Sequence, residues 1–161
     1  MTTVFPAAVQ TAMQHADFVS CESVATPVPM ADFLAGFFQF SPAWLRGLYG
    51  VRLGFVRLLG VQSGMPTFSS ARRAVPMEVG ARMAFFTVEH VTPGLWMAVA
   101  SERHLQARIA VWRDGALLRV ATVVHHRHWT GPVYFAFVRP FHHLVVRGMV
   151  QAGARPVSGP D

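Results

Sequence analysis

Apolar residues in the first third of the chain follow two different periods. They alternate with polar residues between Ala16 and Val24, which predicts a strand, and Thr26-Pro27-Val28-Pro29 then ends it. From Met30 to Phe40 the apolar residues take helical spacing. A second helix is predicted to begin at Ser41-Pro42, where serine can cap it and proline needs no hydrogen-bond donor, and to stop at Gly60.

From residue 80 onward the period becomes two, and four consecutive strands are predicted. Their predicted bounds are 82–91, 95–104, 105–113 and 116–128. Pro93-Gly94 and Asp114-Gly115 are turn sequences, and the second is a strong signal for a tight hairpin. The stretch 60–79, which is rich in Gly, Ser and Pro, is predicted to be a long loop.

A third helical pattern follows Thr130-Gly131-Pro132 and extends to about Gln151. Pro140 lies inside this pattern, which predicts a break or kink near Arg139. The elements then follow the order strand, two helices, antiparallel meander and long helix. This order predicts an α+β fold in which the meander packs against the C-terminal helix.

The chain of 161 residues has the length of one domain. We predict that residues 16–152 form it, that residues 1–15 are a loose leader and that residues 153–161 are a frayed tail. Apolar residues make up 52% of the chain and charged residues only 14%. A large core, a bound ligand or a partner subunit must cover this apolar excess.

The net charge of +6 comes entirely from arginine, since the chain contains no lysine. The arginines are scattered, apart from Arg72-Arg73, so we expect no nucleic-acid binding. Arg46, Arg52 and Arg57 interrupt the most apolar helical stretch, so we expect no membrane span. Cys21 is the single cysteine and the N-terminus lacks the pattern of a signal peptide, which together predict a cytoplasmic protein.

Histidines are the main chemical candidates. The chain has no glycine-rich phosphate loop, no Gly-x-Ser-x-Gly elbow and no cysteine pair spaced for zinc, so no cofactor is predicted. Imidazole binds metals and titrates near neutral pH. One hypothesis joins His104, His126 or His128, and His142 in a metal site or an acid–base cluster. We favour the alternative, in which there is no metal and these side chains are structural or line a pocket.

Strand alternation assigns the side chains of the last two strands to faces of the sheet. His126 and His128 share the predicted core face with three apolar residues of the same strand. These residues are Leu118, Val120 and Val124. The C-terminal helix, which carries His142, should cover that face.

Two tryptophans fall on the face that we predict to be the outer one. Trp96 and Trp112 share it with Glu102 and His104, because all four residues are an even number of positions apart. Exposed tryptophans are typical of protein interfaces. They make a homodimer an alternative prediction for the partner of this chain.

Several short motifs in the chain are typical of one family. They are Ser41-Pro42-x-Trp44, Arg52, Glu102-Arg103-His104-Leu105, His125-His126, Gly131, Tyr134 and Pro140-Phe141-His142. In these residues the chain resembles an uncharacterised bacterial family, the domain of unknown function numbered 2867. The resemblance implies no reaction, but it singles out Glu102, His104, Tyr134 and His142 as polar positions of interest. The chain departs from the family pattern at Glu102, where aspartate is expected, and at Arg127-His128, where asparagine is expected.

The order of the elements is also similar to that of the helix-grip fold of START and Bet v 1 proteins. A helix across a curved antiparallel sheet leaves an apolar space, and such spaces are typical ligand pockets. We therefore predict that the chain binds an apolar or aromatic small molecule between the sheet and the C-terminal helix. The predicted lining is Phe137, Phe141 and Val145 from the helix and Leu118, Val120 and Val124 from the sheet, with His126 and His142 as polar anchors and His128 beside them.

Two other functions remain open at the level of sequence. One is an enzyme, a hydrolase or isomerase, in which His104 or His142 is a general base and Glu102 or Tyr134 orients it. Such a base must lie about 2.6–3.2 Å from its partner, or one water away. The other is a homodimeric interaction module that uses the two tryptophans.

Overall fold

The computed structural model describes residues 3–60, 74–83 and 85–156. These residues form four helices and one sheet of six strands. The elements are α1 (Ala7–Met13), β1 (Phe18–Ala25), α2 (Met30–Gln39), α3 (Ala43–Leu58), β2 (Arg82–Met83), β3 (Phe86–Thr92), β4 (Leu95–Ser101), β5 (Leu105–Asp114), β6 (Leu117–His126) and α4 (Thr130–Ala154). Most of the long loop predicted over residues 60–79 lies outside the described residues.

The sheet is an antiparallel meander with the first strand added at its far edge. The strand order is β1-β6-β5-β4-β3-β2, and every neighbouring pair is antiparallel. Gly115 takes a φ of 59° in the tight turn between β5 and β6, which glycine adopts without steric cost. The predicted fold class is confirmed: an α+β fold with two helices after the first strand and a long C-terminal helix, in the element order of a helix-grip fold.

Both faces of the sheet are covered. On the inner face, Phe33 and Phe37 of α2 pack with Trp96, Val111 and other residues of the central strands. On the outer face, α1 covers a second apolar cluster. Its buried members are Val9, Leu95, Met97, Ala110, Trp112 and Ala121. The predicted loose leader over residues 1–15 therefore contains a packed helix, α1.

The register of β4 against β5 corrects the predicted faces. Ser101 pairs with Gln106, and Leu95 pairs with Trp112. Paired residues share a face, so odd positions of β4 lie with even positions of β5, and the alternation does not run unbroken through the turn. Trp96 is consequently on the inner face and fully buried, while Trp112 is buried under α1. The exposed pair of tryptophans that suggested a homodimer does not exist.

The start of α3, the effect of Pro140 on α4 and the end of α4 also differ from the prediction. Pro42, in an extended conformation, is the N-cap residue of α3, so Ser41 lies outside the helix and does not cap it. α4 continues as one helix through Pro140, so the chain does not break near Arg139. Ala136, whose carbonyl loses its helical donor at Pro140, is exposed and can bond to water instead. α4 also ends two residues beyond the predicted domain limit, at Ala154.

Within the described ranges 3–60, 74–83 and 85–156, no helix combines the length and hydropathy that crossing a membrane requires. The arginines of α3 are the sequence feature that led to the same expectation.

α2 and α4 touch through their backbones. A Cβ atom built on Gly36 would lie 2.9 Å from the carbonyl oxygen of Ala152 and 3.0 Å from the Cα of Gly153. A Cβ atom on Gly153 would lie 2.7 Å from the carbonyl oxygen of Phe33. Only glycine allows this approach, and it fixes where the C-terminal half of α4 lies over the sheet.

We predict that Gly36→Ala destabilises the protein by about 1–3 kcal/mol, because the new methyl group meets backbone that cannot move aside. Gly47→Ala in α3 is the matched control, since nothing lies within 4 Å of a Cβ atom there. It should stabilise the helix by up to about 1 kcal/mol. Urea unfolding measures both changes, and a neutral or stabilising Gly36→Ala would contradict this account of the helix contact.

Candidate functional site

A cavity of about 220 Å³ lies between α3, the stretch of α4 from Tyr134 to Val145 and the inner face of the sheet. Its wall is mostly apolar. The main contributors are Leu45 and Leu48 from α3, Ala100, Ala107 and Val124 from the sheet, and Phe137, Val138, Phe141 and Val145 from α4. The order of the elements predicted walls from the sheet and the C-terminal helix, and α3 supplies a third wall that was not predicted.

The sequence explains why this half of the inner face is not filled. α2 places Phe33, Leu34 and Phe37 in the core that includes Val146 and Val150 of the C-terminal half of α4. The floor beneath the other half of α4 carries small side chains, including Ala100 and Ala107. α3 closes this side through its own contacts: Val56 joins a cluster with Leu105, Tyr134 and Phe135, and Phe55 stacks on Phe137 with ring centroids 4.8 Å apart.

Polar residues of the cavity wall are concentrated where α3, the end of β4 and the start of α4 meet. Arg52 of α3 donates a hydrogen bond from Nε to the hydroxyl oxygen of Tyr134 in α4. The same guanidinium reaches Glu102, with Nη2 3.5 Å from Oε1. Its Cζ atom also lies 5.4 Å from the ring centroid of Tyr134 and 5.7 Å from that of Tyr49. All four of these side chains line the cavity.

Glu102 and Tyr134 are therefore brought together, as the family resemblance implied, and Arg52 is the residue that joins them. The predicted outer face for Glu102 is wrong for the same reason as for Trp96: β4 is out of phase with β5. Arg52 was noted only as a family motif and as an obstacle to a membrane span. Its signal in the sequence is that it interrupts an otherwise apolar helix face, between Leu48 and Val56.

His104 belongs to this cluster but does not line the cavity. Its side chain is only 1% exposed, and its ring packs edge-on against Tyr134 with centroids 4.9 Å apart. Nε2 lies 3.4 Å from Oε2 of Glu102, but neither ring nitrogen has a hydrogen-bond partner in the part of the chain that the structure describes. Burial lowers the pKa of His104, and the Arg52 charge adds to this, although Glu102 opposes it. The ring is therefore neutral at pH 7.

His142 does line the cavity, on the α4 side facing β1. Its Nε2 lies 3.0 Å from Oγ of Ser20, and its ring packs edge-on against Phe18 with centroids 5.2 Å apart. Burial lowers the pKa of His142 to about 4, with a further contribution from His143. At pH 7 the side chain is neutral and a weak base. It can donate or accept a hydrogen bond with a ligand, but it takes up a proton poorly.

The other two predicted histidines lie outside the cavity lining. His126 ends β6, and its ring packs against Phe135 with centroids 5.9 Å apart. His128 lies beyond the end of β6, so strand alternation does not apply to it. Its Nδ1 is 3.1 Å from Oγ1 of Thr130, at the start of α4. Neither side chain lines the cavity, although both were predicted as pocket residues: His126 is the last residue of β6, and the prediction extended the strand beyond it to His128.

The three sheet residues that were predicted to line the pocket differ in their surroundings, because they lie at different positions along β6. Leu118 and Val120 lie on the inner face as expected, but they belong to the core that α2 fills. Val124 lies farther along the strand and lines the cavity. On the helix side, all three predicted residues, Phe137, Phe141 and Val145, line it.

A histidine metal site does not form from the described residues. No group of three or more His, Cys, Asp or Glu side chains in ranges 3–60, 74–83 and 85–156 is arranged to hold a metal ion. His104, His126, His128 and His142 have the separate surroundings given above.

Comparisons with known proteins identify a family for the chain but no function. Residues 11–149 match a family described as "Protein of unknown function (DUF2867)". No curated protein matches the sequence. A hypothetical protein from Helicobacter pylori is similar in structure, with 14% identity, coverage of 96% of this chain and 99% of that chain, and a TM-score of 0.40. A truncated norcoclaurine synthase from Thalictrum flavum has 14% identity, coverage of 89% and 94%, and a TM-score of 0.32. At these TM-scores neither structure bears on the function of this chain.

We predict that stability falls in acid because His142 is buried in its neutral form. Its pKa lies near 4 in the folded chain and near the ordinary 6.5 when unfolded, so the unfolded chain takes up the proton first. The stability is complete above about pH 6.5 and is lost as the pH falls towards 4, by on the order of 2 kcal/mol.

His142→Gln removes the titrating group and should reduce by about 2 kcal/mol the difference in unfolding free energy between pH 7 and pH 4.5, measured in urea. The matched control is His143→Gln, since the neighbouring His143 side chain is 61% exposed. Equal acid sensitivity in wild type and His142→Gln would refute the assignment.

Proposed function

The chain belongs to the DUF2867 family of proteins of unknown function, and we propose that it binds an apolar or aromatic small molecule in its cavity. The observation that carries this proposal is the cavity of about 220 Å³ with a largely apolar wall. Pockets that bind small molecules are typically apolar with a few well-placed polar groups. Here Tyr134, Arg52, Glu102 and His142 supply the polar groups.

An apolar ligand gains free energy in such a cavity because both it and the wall leave water. Each Å² of apolar surface removed from water contributes about 25 cal/mol. Aromatic ligands would meet the rings of Phe137 and Phe141, whose centroids lie 6.2 Å apart on one side of the cavity. Edge-to-face contacts with such rings add to the gain from burial.

Catalysis by a histidine base has less support from the geometry. His142 reaches the cavity, but its pKa of about 4 makes it a weak base at neutral pH. His104 is buried outside the cavity lining, and its 3.4 Å approach to Glu102 exceeds good hydrogen-bond distance. The hypothesis of a homodimeric interaction module rested on exposed tryptophans, but Trp96 and Trp112 are both buried.

We predict that N-phenyl-1-naphthylamine, an uncharged fluorophore, binds the protein with enhanced fluorescence, and that Ala107→Phe weakens this binding about tenfold or more. Ala107 forms part of the cavity floor, and a phenyl group there occupies the space of the ligand. Losing about 1.4 kcal/mol of contact already corresponds to tenfold in affinity.

The matched control is Ala136→Phe, because Ala136 is exposed on α4 and does not line the cavity. Fluorescence titration gives the dissociation constants, and circular dichroism checks that both variants are folded. If the wild type fails to bind the fluorophore, or if both variants bind it as the wild type does, the cavity is not the binding site.

A further inference from the structure

The polar end of the cavity holds a hydrogen-bond donor, the Tyr134 hydroxyl, for which the described residues offer no acceptor. A guanidinium has donors and no acceptor, so in the Arg52–Tyr134 pair the Tyr134 oxygen is the acceptor. The hydroxyl therefore keeps its own proton for a second partner. The described residues provide no acceptor for it: the only hydrogen bond of the Tyr134 side chain in ranges 3–60, 74–83 and 85–156 is the one from Arg52.

This proton stays on the oxygen at neutral pH. Burial raises the pKa of Tyr134 above its ordinary value of 10, although the Arg52 charge and hydrogen bond act in the opposite direction. Tyr134 is 8% exposed and lines the cavity, so a ligand is placed to accept its proton. A ligand oxygen that accepts this proton gains a hydrogen bond, whose net contribution to binding is favourable.

The charges at this end disfavour a charged ligand. Arg52 already faces the Glu102 carboxylate, with 3.5 Å between Nη2 and Oε1. An anionic ligand would be repelled by the Glu102 carboxylate at this end of the cavity. A cationic ligand would meet the same conflict with Arg52. An uncharged acceptor avoids both.

We propose that the cavity selects an uncharged aromatic or aliphatic ligand that carries a carbonyl-type oxygen, and that the Tyr134 hydroxyl donates a hydrogen bond to this oxygen. Arg52 is the positioning residue, because its hydrogen bond holds the Tyr134 oxygen and turns the hydroxyl proton away from α3. The apolar body of the ligand then lies along Phe137 and Phe141. This inference rests on the proposed function of the same cavity.

Three matched naphthalenes test it by displacing N-phenyl-1-naphthylamine at pH 7.5. They are 2-acetylnaphthalene, 2-ethylnaphthalene, which lacks the carbonyl oxygen, and 2-naphthoate, which replaces the methyl group by a charged oxygen. A net hydrogen bond between neutral groups predicts that the acetyl compound binds about threefold to tenfold more tightly than the ethyl compound. The carboxylate should bind more weakly than the acetyl compound.

Tyr134→Phe removes only the donor. In this variant the affinity for 2-acetylnaphthalene should fall to that for 2-ethylnaphthalene, whose own affinity should change less than about twofold. The matched control is Ser23→Ala, which removes an exposed hydroxyl of β1 away from the cavity and should keep the threefold to tenfold preference. If Tyr134→Phe does not fold, the ranking of the three compounds on the wild type still decides the proposal.

The outcomes separate this inference from the proposed function. Equal binding of the acetyl and ethyl compounds, or tightest binding of 2-naphthoate, overturns the carbonyl assignment and leaves the binding function intact. The same holds if the fluorophore binds and none of the three compounds displaces it. If the fluorophore itself does not bind, the proposed function fails and this inference fails with it.

Discussion

The contact between Gly36 and Gly153 is the constraint on which the arrangement of the inner face depends. With no side chain at either position, α2 and α4 approach until backbone meets backbone. α2 then lies directly under the C-terminal half of α4 and fills the sheet below it with phenylalanine. Nearer its N-terminus, α4 packs instead on α3 through Phe55 and Val56, and the cavity lies in this region.

The polar cluster at the cavity has a different physical character from the core. Arg52, Glu102 and Tyr134 come from three separate elements, and their contacts tie α3 to the sheet and to α4. Desolvating a guanidinium and a carboxylate costs several kcal/mol, and a well-packed apolar cluster in the same place is often as stable. The cluster therefore contributes little to the stability of the fold, which agrees with the proposal that it serves a ligand.

The histidines show how strongly surroundings decide chemistry. His142 and His104 are both held neutral by burial, but only His142 reaches the cavity. His126 packs at the end of a strand and His128 lies at the start of α4. Four residues of one type thus have four roles, and none of the differences is visible in their spacing along the chain.

The sequence by itself determined the local structure, because periodicity, turn residues and prolines act over a few positions. The alternation in residues 18–25, the Asp114-Gly115 turn and the helical spacing around Phe137, Phe141 and Val145 were enough to predict the fold class and the helix side of the cavity.

Only the tertiary structure decided how these elements are aligned with one another, that is, the strand register and the position of each helix over the sheet. The register of β4 against β5 buried Trp96 and turned Glu102 towards the cavity. Likewise, the depth at which α2 packs placed Leu118 and Val120 in the core but left Val124 at the cavity. Alternation fixes which side chains within one strand share a face, whereas pairing and packing between distant elements fix which face that is and what covers it.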